Sequence, residues 1–351
     1  MTELSLAIYA AVRIGVIFSA VMTVVAFLPW VERKLIGRFQ QRVGPYRVGP
    51  HGILQPIADS IKLFFKEDII PNQADRVLFV LAPALALITA VMNLAVIPFG
   101  PAFEMFGISF GAVQIADVNV GVLYIFGIAS LGVYSFFLAG WSSGNKYSLL
   151  GGLRSSAQMF SYELSLGLSA VAVLMAVGDL KLSEIVFSQE GGFWNWWIIS
   201  PKWYVIPGLI GFFLLLVSAF AETNRLPFDL PEAETELVAG YHTEYSSMKF
   251  AMFFMAEYIN MIVASSIVTT LFLGGGYAPL PYAPFTLAPG WMWFAAKVFV
   301  LLFFFIWVRA TLPRFRYDQL MNFGWKFMLP LALINIFLAA CGLLLADRFA
   351  M

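Results

Sequence analysis

Eight apolar stretches set the terms on which this chain can fold: roughly 4–31, 77–98, 118–141, 156–178, 204–222, 246–274, 291–312 and 327–347. Crossing a hydrocarbon core of ~30 Å takes about 20 residues of helix at ~1.5 Å each. Inside lipid every backbone N–H and C=O must find a partner within the segment, so runs of this length are helices. The expected fold class is all-α: one polytopic membrane domain, 1–351, with eight transmembrane helices plus short interfacial and loop helices. With 60% hydrophobic residues and 35 Phe, the surface left to water is too small for a soluble domain. The first run has no basic leader and exceeds a signal peptide in length, so it reads as a retained span.

Charge orders the spans. Connections 32–76, 142–155, 223–245 and 313–326 carry eight, two, one and three Lys or Arg residues, whereas the opposite side holds only Lys181, Lys202 and Arg348. The positive-inside rule puts the first set in the cytoplasm or matrix, with both termini on the outer, periplasmic side. Cys341 is the single cysteine, which excludes an intrachain disulfide and any cysteine-ligated zinc or iron–sulfur site. His51 and His242 fall in loops, so no intramembrane histidine pair could hold a haem. No metal site is expected on the chain, and zero net charge gives no reason to invoke nucleic acid.

The densest chemistry lies at 221–245, AETNRLPFDLPEAETELVAGYHTEY. Glu222, Asp229, Glu232, Glu234, Glu236 and Glu244 stand there against one fixed cation, Arg225. Asp229, Pro231 and Glu232 read as the start of a short helix with a capping box, on which Glu232 and Glu236 share a face. A solvated acidic loop is the plain alternative. The first connection opens with Glu32-Arg33-Lys34, continues through Arg38, Arg42 and Arg47, and is broken at Gly44-Pro45 and Gly49-Pro50. From 53 to 66 its pattern is amphipathic: Ile53, Ile57, Ile61, Phe64 and Phe65 on one side, and Gln55, Asp59, Lys62 and Lys66 on the other. A helix lying on the membrane surface is expected there, either as structure alone or as the wall of an opening for a polar-headed lipid.

Ionisable residues also fall inside the spans: Arg13, Glu163, Glu222, Glu257, Lys297 and Arg309. Buried charge costs several kcal/mol unless it is paired, hydrated or neutralised, which makes these residues functional candidates. A purely structural ion pair between Glu257 and Lys297 is the competing expectation. Tyr162 and Tyr258 flank two of the glutamates.

Several blocks are recognisable: VERKLIGRFQQRVGP, GILQPIADSIKLFFKE, AETNRLPFDLPEAETELVAGYHTEY, FFMAEY and RATLPRFRYDQLM. In order and spacing the chain resembles the family of the first membrane subunit (the H subunit) of proton-pumping NADH:quinone oxidoreductase, respiratory complex I. The resemblance implies the floor of a quinone chamber and its access tunnel, with Arg33, Arg42, Asp59, Lys62 and Glu67 along the tunnel. It also implies a proton relay through Glu163, Glu222, Glu232, Glu234, Glu236 and Glu257, with Arg225 as counter-charge. Quinone, ubiquinone foremost, would be the substrate. NADH, FMN and iron–sulfur clusters would belong to partner subunits of the peripheral arm, and antiporter-like membrane subunits and lipid would complete the surroundings. No catalytic residue is expected on this chain alone, and a bacterial inner membrane is the expected location. The alternatives are a membrane component of a related hydrogenase or dehydrogenase complex, or a proton-coupled secondary transporter. The latter usually shows internal repeats; here there is only the Gly274-Gly275-Gly276 break.

Overall fold

A computed structural model describes residues 3–105, 108–199, 205–229 and 238–350. It is a helical bundle. Helix α1, Glu3–Phe39, has 37 residues and carries Pro29 inside it. At ~1.5 Å per residue it is about 55 Å long, well beyond a bilayer, and so lifts Arg33 and Arg38 clear of the hydrocarbon. The chain then doubles back through a turn in which His51 has a φ of 52° and enters α2, Gln55–Phe65, with Pro56 in the first turn where its missing N–H costs nothing. Ile57, Ile61 and Phe64 on α2 are exposed, an apolar side that the other described residues do not cover.

The bundle continues with α3 (Arg76–Asn93), α4 (Gly121–Ser142), α5 (Lys146–Val177), the short α6 (Leu182–Phe187) and α7 (Val205–Glu222). It is completed by α8 (Ser247–Phe272), α9 (Gly290–Thr311), α10 (Tyr317–Phe323) and α11 (Leu329–Ala350). A single π turn, Gly324–Met328, fuses α10 to α11. Local chemistry sets several ends. Asp75 caps α3 by accepting from the N–H groups of Val77 and Leu78, and Asn145 caps α5 by accepting from Tyr147. Gly178, at φ 78°, closes α5 in the left-handed conformation that glycine adopts without strain.

Among the described residues, seven helical stretches are long and apolar enough to cross a membrane, Ala10–Phe39, Ser247–Phe272 and Tyr317–Ala346 included. The stretch expected as an eighth span, 204–222, appears as an apolar helix of 17 residues, Ile206–Glu222, just below that length. Helix α8 is the axis of the bundle. Its residues from Tyr258 to Phe272 are nearly all buried, Ser265, Ser266 and Thr269 included, and each of those hydroxyls donates to a carbonyl four residues back along the helix. With no hydrophobic force to press helices together in lipid, close packing has to do it. Between α4 and α5 small residues permit this: a Cβ on Gly140 would sit 3.1 Å from Gly152 Cα.

One element departs from an all-helical expectation. In the connection after α3, β1 (Phe103–Met105) pairs antiparallel with β2 (Ile108–Phe110) in the register Phe103↔Phe110. Three-residue strands leave no alternation long enough to recognise in an already apolar sequence.

Candidate functional site

Arg225, in the turn that follows α7, is the centre of a buried ion cluster. Its Nη1 donates to Glu32 Oε1 at 2.9 Å. Its Nε lies 2.6 Å from Glu257 Oε1, an ionic contact that is not aligned as a hydrogen bond. Tyr258 donates its hydroxyl to Glu32 Oε2 at 2.7 Å, and the Arg225 guanidinium stacks 4.5 Å from the Tyr258 ring centroid. Arg309 of α9 also donates to Glu32 Oε1. The side chains of Arg225 and Glu32 are only 5% and 4% exposed. Two carboxylates and two guanidinium groups thus offset one another, the condition under which charge survives burial. Burial opposes the Arg225 charge, but Glu257 and Glu32 outweigh it and hold its pKa well above the ordinary value.

The turn that carries Arg225 is tied from behind. Gln158 on α5 directs its amide Nε2 at Ala221 O (2.9 Å), Phe228 O (2.8 Å) and Asn224 Oδ1 (3.2 Å), three acceptors around one group. Asn224 itself has a φ of 51°, a conformation asparagine tolerates better than most residues. A few residues on, Arg314 Nη2 donates to Asp229 Oδ2 at 3.0 Å, while Asp229 Oδ1 is buried without a hydrogen-bond partner among the described residues. Burial raises the Asp229 pKa, and Arg314, Arg309 and Arg225 limit that rise.

On the surface side, Arg33 Nη1 donates to Asp59 Oδ2 at 2.8 Å, and Gln55 Nε2 to Asp59 Oδ1 at 3.0 Å. This pins the polar edge of α2 to α1, one residue from Glu32. Arg42, Lys62 and Glu67 are exposed and stand apart from the cluster; the Arg42 side chain turns to Gln40, and the Glu67 carbonyl accepts from Ser246 at 3.2 Å. Glu163 on α5 accepts from Ser130 on α4, and Glu222 at the end of α7 lies within reach of its charge. Glu232, Glu234 and Glu236, and the capping box beginning at Asp229, lie outside the described residues.

The expected alternative pair of Glu257 with Lys297 does not form. Lys297 Nζ donates instead to three carbonyls, Leu273 (2.7 Å), Gly275 (2.9 Å) and Tyr277 (2.7 Å), and sits 4.2 Å from the Trp196 ring centroid. These carbonyls belong to the C-cap residue of α8 and the loop after it, and an ammonium with three N–H groups fits them. Glu257 takes Arg225, which reaches it from the turn that follows α7. Glu32 and Arg309 are the cluster members that a search for runs of carboxylates passes over. Arg309 stands out only as a charge inside a span, and Glu32 only as the acidic member of Glu32-Arg33-Lys34 next to apolar sequence.

Comparison with known proteins follows the same line. A sequence profile of the NADH dehydrogenase family matches residues 12–340. An H subunit of NADH-quinone oxidoreductase from Koribacter versatilis is 52% identical, covering 94% of this chain and 96% of its own. The H subunit from Thermomicrobium roseum is 52% identical with 92% of each chain covered, and that from Rhodospirillum rubrum 51% identical over 92% of this chain and 90% of its own. Matched over nearly its whole length, this multi-pass membrane chain belongs to the H-subunit family of bacterial NADH-quinone oxidoreductase, complex I.

Proposed function

We propose that this chain forms the membrane floor and access tunnel of the quinone chamber and passes the charge changes of quinone reduction into a row of carboxylates. The observation that carries the reading is the continuity of Asp59–Arg33, Glu32–Arg225 and Arg225–Glu257: a surface pair on the amphipathic α2 joined, within one residue of α1, to an intramembrane glutamate. Quinone takes up two electrons and two protons to become quinol. The electrons come from iron–sulfur clusters in the peripheral-arm partners, since this chain has one cysteine to offer. The side chains of α1, α2 and the turn after α7 would orient the quinone head and meet the negative charge it develops.

The carboxylates act as a coupled set. Adjacent groups at low dielectric do not all ionise together, so a proton gained or lost near Arg225 alters occupancy at Glu257, Glu222 and Glu163. The resemblance to the family assigns Glu232, Glu234 and Glu236 to the same set, with antiporter-like subunits as its receivers. The orientation that fits has α2 and Arg225 on the cytoplasmic side and both termini outside.

The deciding experiment compares quinone-dependent NADH oxidation with NADH oxidation by a hydrophilic artificial acceptor, in membranes carrying Arg225→Gln or Arg225→Lys. Loss of the first activity in an assembled complex that retains the second supports the reading. Wild-type quinone turnover in assembled Arg225→Gln would sink it.

A further inference from the structure

No buried core holds α2 in place. None of its residues is buried, and its neighbours are α1 and α8. Polar contacts at its two ends do the work that packing does elsewhere in the bundle. Toward the N-terminal end, Asp59 accepts from Arg33 and Gln55. The C-terminal end is met by the first residues of α8 and the residue before them.

Three side chains make that second contact. Ser247 Oγ donates to Leu63 O at 3.0 Å, in the last turn of α2, where helix carbonyls lack partners. Ser246 Oγ donates to Glu67 O and accepts from the Ile69 N–H, both at 3.2 Å. Lys249 Nζ meets both oxygens of Asp68, at 3.1 and 2.9 Å. Ser247 has a φ of 55°, a conformation that residues other than glycine seldom adopt and that the surroundings must enforce. The Lys249 side chain is 11% exposed and that of Asp68 47%, so the buried partner is the fixed one. Lys249 Nζ also lies 5.3 Å from the ring centroid of Phe79, which stacks on Tyr245 at 4.0 Å. The ammonium is thus backed by α3 and by the last residue of the connection 223–245, and from there it reaches the chain just past α2.

We propose that Lys249 is a positioning residue for quinone entry: through Asp68 it sets where the C-terminal end of α2 lies against the start of α8. This role rests on the reading of α2 as a wall of the quinone tunnel. Ser246 and Ser247 supply the neutral part of the same clasp. With the ionic part gone, α2 stays tied at Asp59 while its other end, carrying the exposed Phe64 and Phe65, loosens. That alters the wall an entering quinone passes and leaves the groups around Arg225 as they are.

The test uses the purified intact complex in nanodiscs with Lys249→Met, Asp68→Asn and the double variant. Amide hydrogen exchange over residues 60–69 reports the clasp, and the apparent KM and kcat for a short-chain ubiquinone report entry. Each single variant is expected to raise both the exchange rate and KM about fivefold, the factor that loss of an ion pair with one half-exposed partner brings. The value of kcat and NADH oxidation by a hydrophilic artificial acceptor should stay as in the wild type. The double variant should match the single ones, because Lys249 acts through Asp68. Unchanged exchange in Lys249→Met overturns the clasp itself. Faster exchange with an unchanged KM overturns the role in entry, and there it is the tunnel reading of α2 that fails while the clasp stands. A double variant clearly worse than either single one, or a loss that falls on kcat, also overturns the proposal.

Discussion

Glu32 Oε1 and Arg225 Nη1 meet at 2.9 Å across 193 residues of sequence, and both side chains are almost wholly buried. The contact fastens the C-terminal part of α1 to the turn after α7, with α8 and α9 contributing Tyr258 and Arg309 to the same carboxylate. Four segments therefore depend on one glutamate. Glu32 also stands next in sequence to Arg33 of the pair Arg33–Asp59, and it shares Arg225 with Glu257.

Glu32→Gln should accordingly be costly. It leaves Arg309 without its carboxylate and Arg225 with only Glu257, and breaking a buried pair from one side typically costs about 3–5 kcal/mol. The expected outcome is a marked drop in assembled complex on native gels. Restoring charge balance with the double change Glu32→Gln/Arg309→Gln should recover part of the assembly. If the double variant is no better than the single one, the four charges do not act as a unit.

The pair at the membrane surface should behave differently. Arg33 and Asp59 are 54% and 26% exposed, and pairs of this kind contribute about 0–1 kcal/mol. Arg33→Ala and Asp59→Asn should assemble normally, yet lower quinone-dependent turnover while electron transfer to artificial acceptors is unchanged. Unaltered quinone turnover and apparent affinity would reduce both residues to surface charges.

His242 gives a pH prediction. It packs against the rings of Tyr241, Phe250 and Phe254, and burial lowers its pKa from 6.5 to about 4. Because the folded state refuses a proton that the unfolded chain accepts, this contribution to stability is complete above about 6.5. It is lost as pH falls toward 4, by about 3 kcal/mol in all. His242→Phe should flatten the acid side of the thermal-inactivation profile between pH 6.5 and 4; an equally steep profile in that variant would place the acid sensitivity elsewhere.

How much of this was legible in the sequence depends on the range of the forces involved. The helices over 76–93, 121–142 and 247–272 follow from apolar length, which is a local property. The polar edge of α2 was equally legible, because its period is written in consecutive residues from Gln55 to Lys66. Partners in the ion cluster were not. Glu257 and Lys297 look matched because both lie deep in neighbouring spans, but side-chain reach and helix rotation decide the pairing. Lys297 is taken up by carbonyls at the C-cap of α8 and in the loop after it, and Arg225 arrives from a turn whose path depends on Gln158. The strands at 103–110 were hidden for another reason, being too short to carry a pattern.

Lys297 and Glu257 should therefore act independently. Lys297→Met strands three carbonyls, at the C-cap of α8 and in the loop after it, where each lost partner costs about 1–3 kcal/mol. Combined with Glu257→Gln, the two effects on thermal inactivation should add to within about 0.5 kcal/mol, as for residues that share no partner. A coupling well above that would restore a direct electrostatic link between them.

The final prediction separates charge balance from proton traffic. Glu257 lies against Arg225, while Glu163 accepts from the neutral Ser130, so the same Glu→Gln change removes different things at the two sites. At Glu163 it removes titration and keeps a hydrogen-bonding side chain of equal size, so assembly and stability should be nearly unchanged. At Glu257 it also removes one of two carboxylates facing Arg225; Glu32 remains, so the complex should be less stable yet still assemble. If the carboxylates form one relay, both variants lose quinone-dependent NADH oxidation and membrane-potential formation in step, because reduction and proton movement draw on the same sites. Single changes at Glu232, Glu234 or Glu236 should cost less than their combined loss, since neighbouring carboxylates substitute for one another. The measurement is NADH oxidation with quinone alongside a potential-sensitive dye in inverted vesicles, with assembly checked on native gels. Normal turnover and potential in both Glu163→Gln and Glu257→Gln would end the relay reading. A defect confined to the assembly of Glu257→Gln would leave that residue the structural partner of Arg225 and nothing more.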